Sequence, residues 1–223
     1  MATTTKKKTA SPTSEAIAIK RPNMAQATFG IVGIAPYVQN KFSNKAREQI
    51  RLKQAAGSTS NKSKNREAKD FDAAYEAAIH YSKEGWIGIP ATAFRAACIS
   101  ACRLVDYKMT VARLSVFFEA DGFDRDDGTP LVRITKGEPR CVEHMVRVGP
   151  SKAPDIRSRP MWDPGWEANI TVRFDADQFT IQDVANLLSR VGQQVGIGEG
   201  RPDSKGTGGG MGWGMFLLAE GGK

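Results

Sequence analysis

Residues 166–191, WEANITVRFDADQFTIQDVANLLSRV, decide the fold. The first nine alternate apolar and polar side chains, the period of a half-buried strand, whereas Ile181, Val184, Leu187, Leu188 and Val191 recur at helical spacing. Residues 175–179 make the turn between them. Thr180 with Asp183 three positions on is a capping pair, and Gly192 stands where it can end the helix in a left-handed conformation.

Working outward, residues 215–219 (MFLLA) read as a closing strand and 25–34 (AQATFGIVGI) as an opening one that Pro36 ends. A short amphipathic stretch, FDAAYEAAIHYS, starts at Phe71. Pro90 then opens the helix ATAFRAACISACRLV, with Phe94, Ala97, Cys98, Ala101, Leu104 and Val105 on its buried face. Residues 111–120 (VARLSVFFEA) read as a strand, DGFDRDDG as a solvated polar turn, and 131–135 (LVRIT) as the partner strand. The five prolines of 137–165 make that segment an irregular excursion. With this excursion and the basic stretch before the first helix set aside, the order is strand, helix, strand, strand, helix, strand. That is an α+β protein with a ferredoxin-like or RRM-like split βαβ core.

The length of 223 residues favours one domain, 23–223, behind a basic tail, 1–22, that has no sustained period. Thirty-two Lys and Arg against 24 Asp and Glu give a net charge of +8, so the surface attracts polyanions. The sequence holds no run of about 18 apolar residues to span a bilayer. Met1 to Lys8 carries positive charge with no apolar stretch behind it, and the expected location is the cytoplasm of a bacterial host cell. Cys98, Cys102 and Cys141, with His80 and His144, supply neither a disulfide framework nor zinc-ligand spacing. No metal, cofactor or catalytic residue is expected.

Basic residues cluster instead. Between 41 and 69 nine Lys or Arg face only Glu48 and Glu67, so 39–70 reads as a mobile basic insertion that contacts phosphates through Lys41, Lys45, Arg47, Arg51 and Lys53. Arg95 and Arg103 mark the polar face of the first helix. In the excursion, VRVGPSKAPDIRSRPMW sets Arg147, Lys152, Arg157 and Arg159 beside Trp162, and a single strand needs that combination: cations for phosphates, a flat ring for bases.

Residues 195–214, between the last helix and the last strand, hold nine glycines in twenty positions. Glycine is required where φ is positive or a second backbone comes into contact, and exposed amides in such a loop bind phosphate oxygens. Gly196, Gly198, Gly200, Arg201 and Lys205 are the binding candidates here. The spacing of the three glycines looks like a dinucleotide fingerprint, but it follows a helix and precedes none, and Lys205 stands before Gly206 where a P-loop lysine follows its glycine.

On GIGEGRP and GGGMGWG between last helix and last strand, on GIPATAFRAA at the helix start, and on the element order, the chain resembles the RAMP superfamily of RNA-binding proteins from CRISPR systems. Within it the likeness is especially to the effector backbone (Cas seven-type) subunits; the chain is also similar to phage and prophage proteins with the same segments. The resemblance implies a palm that holds nucleic-acid backbone, with Arg95, Arg103 and the 41–53 run as candidates. It also implies a thumb, 145–162, that separates or kinks bases between neighbouring subunits. The expected function is non-catalytic binding of single-stranded RNA or DNA by a homo-oligomer or helical filament, with no membrane partner. Two alternatives stand beside it: a metal-independent endoribonuclease of the same superfamily using His80 or His144, and a phage structural or host-takeover protein that binds an acidic protein partner.

Overall fold

The computed structural model describes residues 19–42, 48, 51, 52, 54, 55, 70–148, 153–204 and 210–219. In chain order its elements are β1 (Met24–Gly33), β2 (Tyr37–Val38), α1 (Phe71–Glu76), β3 (Gly88–Pro90), α2 (Ala91–Ala101), α3 (Met109–Ser115), β4 (Val116–Phe118), β5 (Gly122–Phe123), β6 (Pro130–Lys136), β7 (Pro139–Val148), β8 (Ala153–Trp162), β9 (Glu167–Asp175), α4 (Ile181–Arg190) and β10 (Phe216–Leu218). The fold is α+β, with antiparallel sheets.

The main sheet runs β10–β1–β9–β6–β3. Its spine is β1 against β9, in register from Met24 opposite Asp175 to Val32 opposite Glu167. Alternation along β9 is complete: Ala168, Ile170, Val172 and Phe174 are buried, and they belong to one core with Phe94, Ala97 and Ala101 of α2 and Val184, Leu187 and Leu188 of α4. Phe94 joins the layers, stacking on Phe118 at 5.8 Å between ring centroids and meeting Phe216 edge-on at 6.2 Å. Burial of each such side chain contributes about 1.5–3 kcal/mol. On the exposed side of the sheet the neighbours are polar, Thr28 with Thr171 at 3.0 Å and Arg173 with Glu119 at 2.8 Å.

Strands β4 and β6 share one edge of β9. Val116 to Phe118 lie opposite Phe174 to Val172, while Ile134 and Lys136 lie opposite Ala168 and Glu167. The chain therefore leaves that edge after Phe118, makes β5 and a turn, and returns to the same edge further along. A second sheet, β2–β8–β7, holds the long hairpin β7–β8 by its base.

Several expectations are corrected. Residues 109–115 are helical, not extended, because Met109, Ala112 and Val116 follow helical spacing and Ala112 is buried. Residues 131–135 pair with β3, β5 and β9, not with 111–120. The 137–165 excursion is a regular hairpin of ten cross-strand pairs: Pro139 and Pro154 sit near its strand ends, and Pro160 presents its carbonyl to the Gln39 amide at 3.2 Å. Leu104 and Val105 are 49% and 45% exposed, because a 3₁₀ turn at Cys102–Leu104 swings the chain off the buried face of α2. The Thr180–Asp183 capping box is present, but the chain continues past Arg190 as a π turn, Val191–Val195, and reverses at Gly196, φ +71°. Gly192 serves contact instead: a Cβ there would lie 2.1 Å from the Phe216 carbonyl oxygen.

Candidate nucleic-acid interface

A cleft of about 930 Å³ runs between α2, the segment after β2, the middle of β8 and the glycine-rich loop. Small residues make its wall: Ala93, Ala96 and Ala97 of α2 leave room that larger side chains would fill. Arg103, Arg113, Arg157 and Arg201 line it, from the end of α2, from α3, from β8 and from the glycine-rich loop, against two carboxylates, Glu199 and Asp203. The local balance is cationic.

The four cations are held differently. Arg103 donates to the Ser100 carbonyl at 3.1 Å and to Asp203 Oδ1 at 2.7 Å, and Ser100 Oγ and Asp203 Oδ2 are themselves in contact. Hydrogen bonds from Ser100 and Arg103 hold the Asp203 carboxyl below its usual value, against the upward push of its partial burial. Arg201 donates to the Gly198 carbonyl at 3.0 Å, and Arg157 lies 3.5 Å from Asp155. Arg113 is exposed and belongs to no ion pair among the described residues, so its charge is not cancelled. Preorganised guanidinium groups in a concave site suit bidentate recognition of phosphate.

The glycines shape this cleft by contact within the chain. A Cβ on Gly198 (φ +78°) would lie 2.6 Å from the Val38 carbonyl oxygen, and one on Gly200 (φ +74°) 2.3 Å from the Trp213 ring. A Cβ on Gly196 (φ +71°) would lie 2.9 Å from both the Pro202 ring and the Trp213 carbonyl oxygen. The glycine density thus folds the loop onto β2 and Trp213, while Gly198 also lines the cleft.

At one end of the cleft lies a buried polar cluster. Lys41 Nζ is 2.8 Å from Asp124 Oδ1 and 2.5 Å from Asp126 Oδ2; His80 Nδ1 is 2.8 Å from Asp124 Oδ2. Gln39 ties the cluster to the fold, accepting from the His80 amide at 3.0 Å and donating to the Gly88 carbonyl at 2.7 Å. Burial alone would raise the Asp124 carboxyl, but hydrogen bonds from Lys41, the Asp126 amide and His80 bring it below its ordinary value. Burial pushes the His80 imidazole down, and the Asp124 carboxylate opposes this only in part.

The structure separates other residues from the cleft. Lys41 is not on a mobile segment: it is 6% exposed and committed to two carboxylates. Asp124, expected in a solvated turn, is fully buried as its partner. Trp162 is fully buried, tilted against Tyr37 at 5.4 Å between centroids, so no base can stack on it without opening the core. Arg95 folds back onto the Val116 and Arg113 carbonyls at 3.3 and 2.5 Å, where it closes the end of α3, and Arg159 is neutralised by Glu199 at 2.9 Å. Arg51 is an exposed helical position, and Arg147 contributes backbone to β7. Lys45, Arg47, Lys53, Lys152 and Lys205, with most of the basic insertion, lie outside the described residues.

Arg113, Ser100, Asp203 and Gln39 escape sequence reading. Arg113 sits in a stretch whose alternation imitates a strand, and the other three meet partners at least 41 residues away.

Among the described residues no helix is long and apolar enough to cross a membrane, and no group of three or more His, Cys, Asp or Glu could hold a metal ion. No protein-family model matches the chain, and no curated protein matches it.

Proposed function

We propose that the protein binds single-stranded nucleic acid, RNA or DNA, without cleaving it, and that copies assemble along the strand. The observation that carries this reading is the convergence of Arg103, Arg113, Arg157 and Arg201 from four parts of the chain onto one cleft. The core is read as ferredoxin-like. Its support is the antiparallel order β10–β1–β9–(β4/β6), with α2 between β1 and β4 and α4 between β9 and β10. The glycine-rich loop then falls between last helix and last strand, as the resemblance to the CRISPR backbone subunits and the phage proteins implies. Fluorescence anisotropy of labelled single-stranded RNA, single-stranded DNA and duplex DNA at two salt concentrations, followed by sizing of the mixtures, tests it. Salt-sensitive binding to single strands with length-dependent particles is expected. Binding to none of them, or binding that survives high salt, redirects the search to an acidic protein partner.

A second reading draws on His80. Its Nδ1 engages Asp124 and its side chain lines the cleft, the arrangement that orients a neutral imidazole as a general base. Cleavage of a labelled RNA that is lost in His80→Asn favours the endoribonuclease; an RNA that binds and stays intact supports the non-catalytic one.

A further inference from the structure

A second groove, of about 810 Å³, opens beside the first: Cys102 lines it where Arg103 lines the cleft, and Gln194 lines it where Val195 does. The arginine cleft does not use it. Its floor is apolar: Leu187 and Phe179 are nearly buried, and the half-buried Tyr107 ring, tilted over Phe179 at 5.0 Å between centroids, is the aromatic surface that the groove offers. Its rim carries the carboxamides Gln178, Asn186, Gln193 and Gln194 beside Ser189, Arg190 and Asp183, whose carboxylate already accepts from Thr180. The Asn186 and Gln194 oxygens already accept, from Gln182 at 3.1 Å and from Arg190 at 3.2 Å, which leaves their N–H groups as the donors on offer.

Both walls carry backbone irregularities. Asp106, directly before Tyr107, is the one non-glycine with positive φ (54°) among the described residues, and Gln193 and Gln194 sit in the π turn. Such departures from regular backbone recur where a site has to be shaped.

We infer that this groove is a nucleobase-binding site. A flat ring over an apolar, aromatic floor with hydrogen-bond donors at its edge is how an unstacked base is held. Donor groups at the rim favour bases that present ring carbonyls, such as thymine, uracil and guanine, over adenine. In that arrangement the cleft holds phosphates and the adjoining groove holds a base of the same strand, a relation that rests on the reading proposed above. The base chemistry itself does not, since a free nucleoside carries it too.

The test compares oligothymidylate with an abasic strand of equal length, using the wild type and the Asn186→Ala, Gln193→Ala, Gln194→Ala triple variant, with thermal melting as a check on folding. The three side chains are exposed, so the variant is expected to fold. Oligothymidylate should bind the wild type about tenfold more tightly than the abasic strand, and the ratio should fall towards one in the variant while abasic binding is unchanged. An unchanged ratio in the variant, or no preference in the wild type, overturns base binding within a strand. If neither strand binds, the phosphate reading has failed, and thymidine alone decides the groove by two-dimensional NMR. Shifts at Tyr107 and Gln193 that exceed those from adenosine support the base site; no shift with either nucleoside overturns it.

Discussion

Lys41 and Asp124, far apart in the chain, form a buried ion pair with Nζ 2.8 Å from Oδ1 and side chains 3% and 0% exposed. The pair joins the residues after β2 to the 124–128 turn, and through Asp124 it also sets the position of His80 beside the cleft. Removing one partner from such a pair strands a charge without water. Lys41→Met or Asp124→Asn should therefore cost about 3–5 kcal/mol in urea unfolding. The double variant should lose less than the sum of the two, and additive losses would contradict the pairing.

Acid should weaken the fold in two stages. Burial holds His80 and His144 below their ordinary value, so the unfolded chain binds protons at these positions more readily than the folded one. Stability contributed by this difference is present above about pH 6.5, the unfolded value, and is lost as pH falls through the lower folded values. The Asp124 carboxyl, also held low, loses its contribution only below about pH 4. The melting temperature should be level from pH 8 to 7 and fall below 6.5. A His80→Gln, His144→Gln variant, less stable throughout, should lack the first decline.

Gly214 and Gly210 separate the two uses of glycine. Both have positive φ, but a Cβ on Gly214 would fall 1.8 Å from the Ile197 carbonyl oxygen, whereas one on Gly210 meets nothing within 4 Å among the described residues. Gly210→Ala should cost about 1–2 kcal/mol for conformation alone. Gly214→Ala adds a backbone clash and should cost several-fold more or prevent folding, as thermal melting would record.

Trp162 is part of the core and not a stacking platform. Trp162→Phe should leave the affinity for single strands unchanged while lowering stability, and Trp162→Ala should cost about 3–5 kcal/mol. A selective loss of binding in a folded Trp162→Phe protein would restore the stacking role.

Much of the fold was legible in the sequence because local signals agreed with the packing. The alternation of β9, the Thr180–Asp183 capping box and the small-residue face of α2 all stand where their patterns put them. Sequence reading failed where one pattern imitates another: 109–115 is too short for its helical period to stand out from alternation, and the prolines of 137–165 conceal a hairpin whose ladder takes in Pro139, Pro154 and Pro160. The site was half legible. Arg103, Arg157, Gly198 and Arg201 carry basic or glycine signals of their own, and all four line the cleft. Asp124 and Asp203 matter through partners from distant segments and Arg113 through where α3 places it, and no local pattern marks them. The glycine-rich segment stood out, but of its described glycines Gly196, Gly198, Gly200 and Gly214 pack against Val38, Ile197, Pro202 and Trp213 of the same chain.

The most direct measurement is the salt dependence of single-strand affinity for the wild type, for Arg113→Ala, Arg157→Ala and for Arg95→Ala, by fluorescence anisotropy. If Arg113 and Arg157 meet phosphates in the cleft, the double variant should bind more weakly at low salt, and its slope of log affinity against log salt should be shallower by about 0.7 for each phosphate that is no longer neutralised. Arg95→Ala should keep the wild-type slope. Equal slopes for the wild type and the Arg113, Arg157 variant would contradict a phosphate-binding cleft.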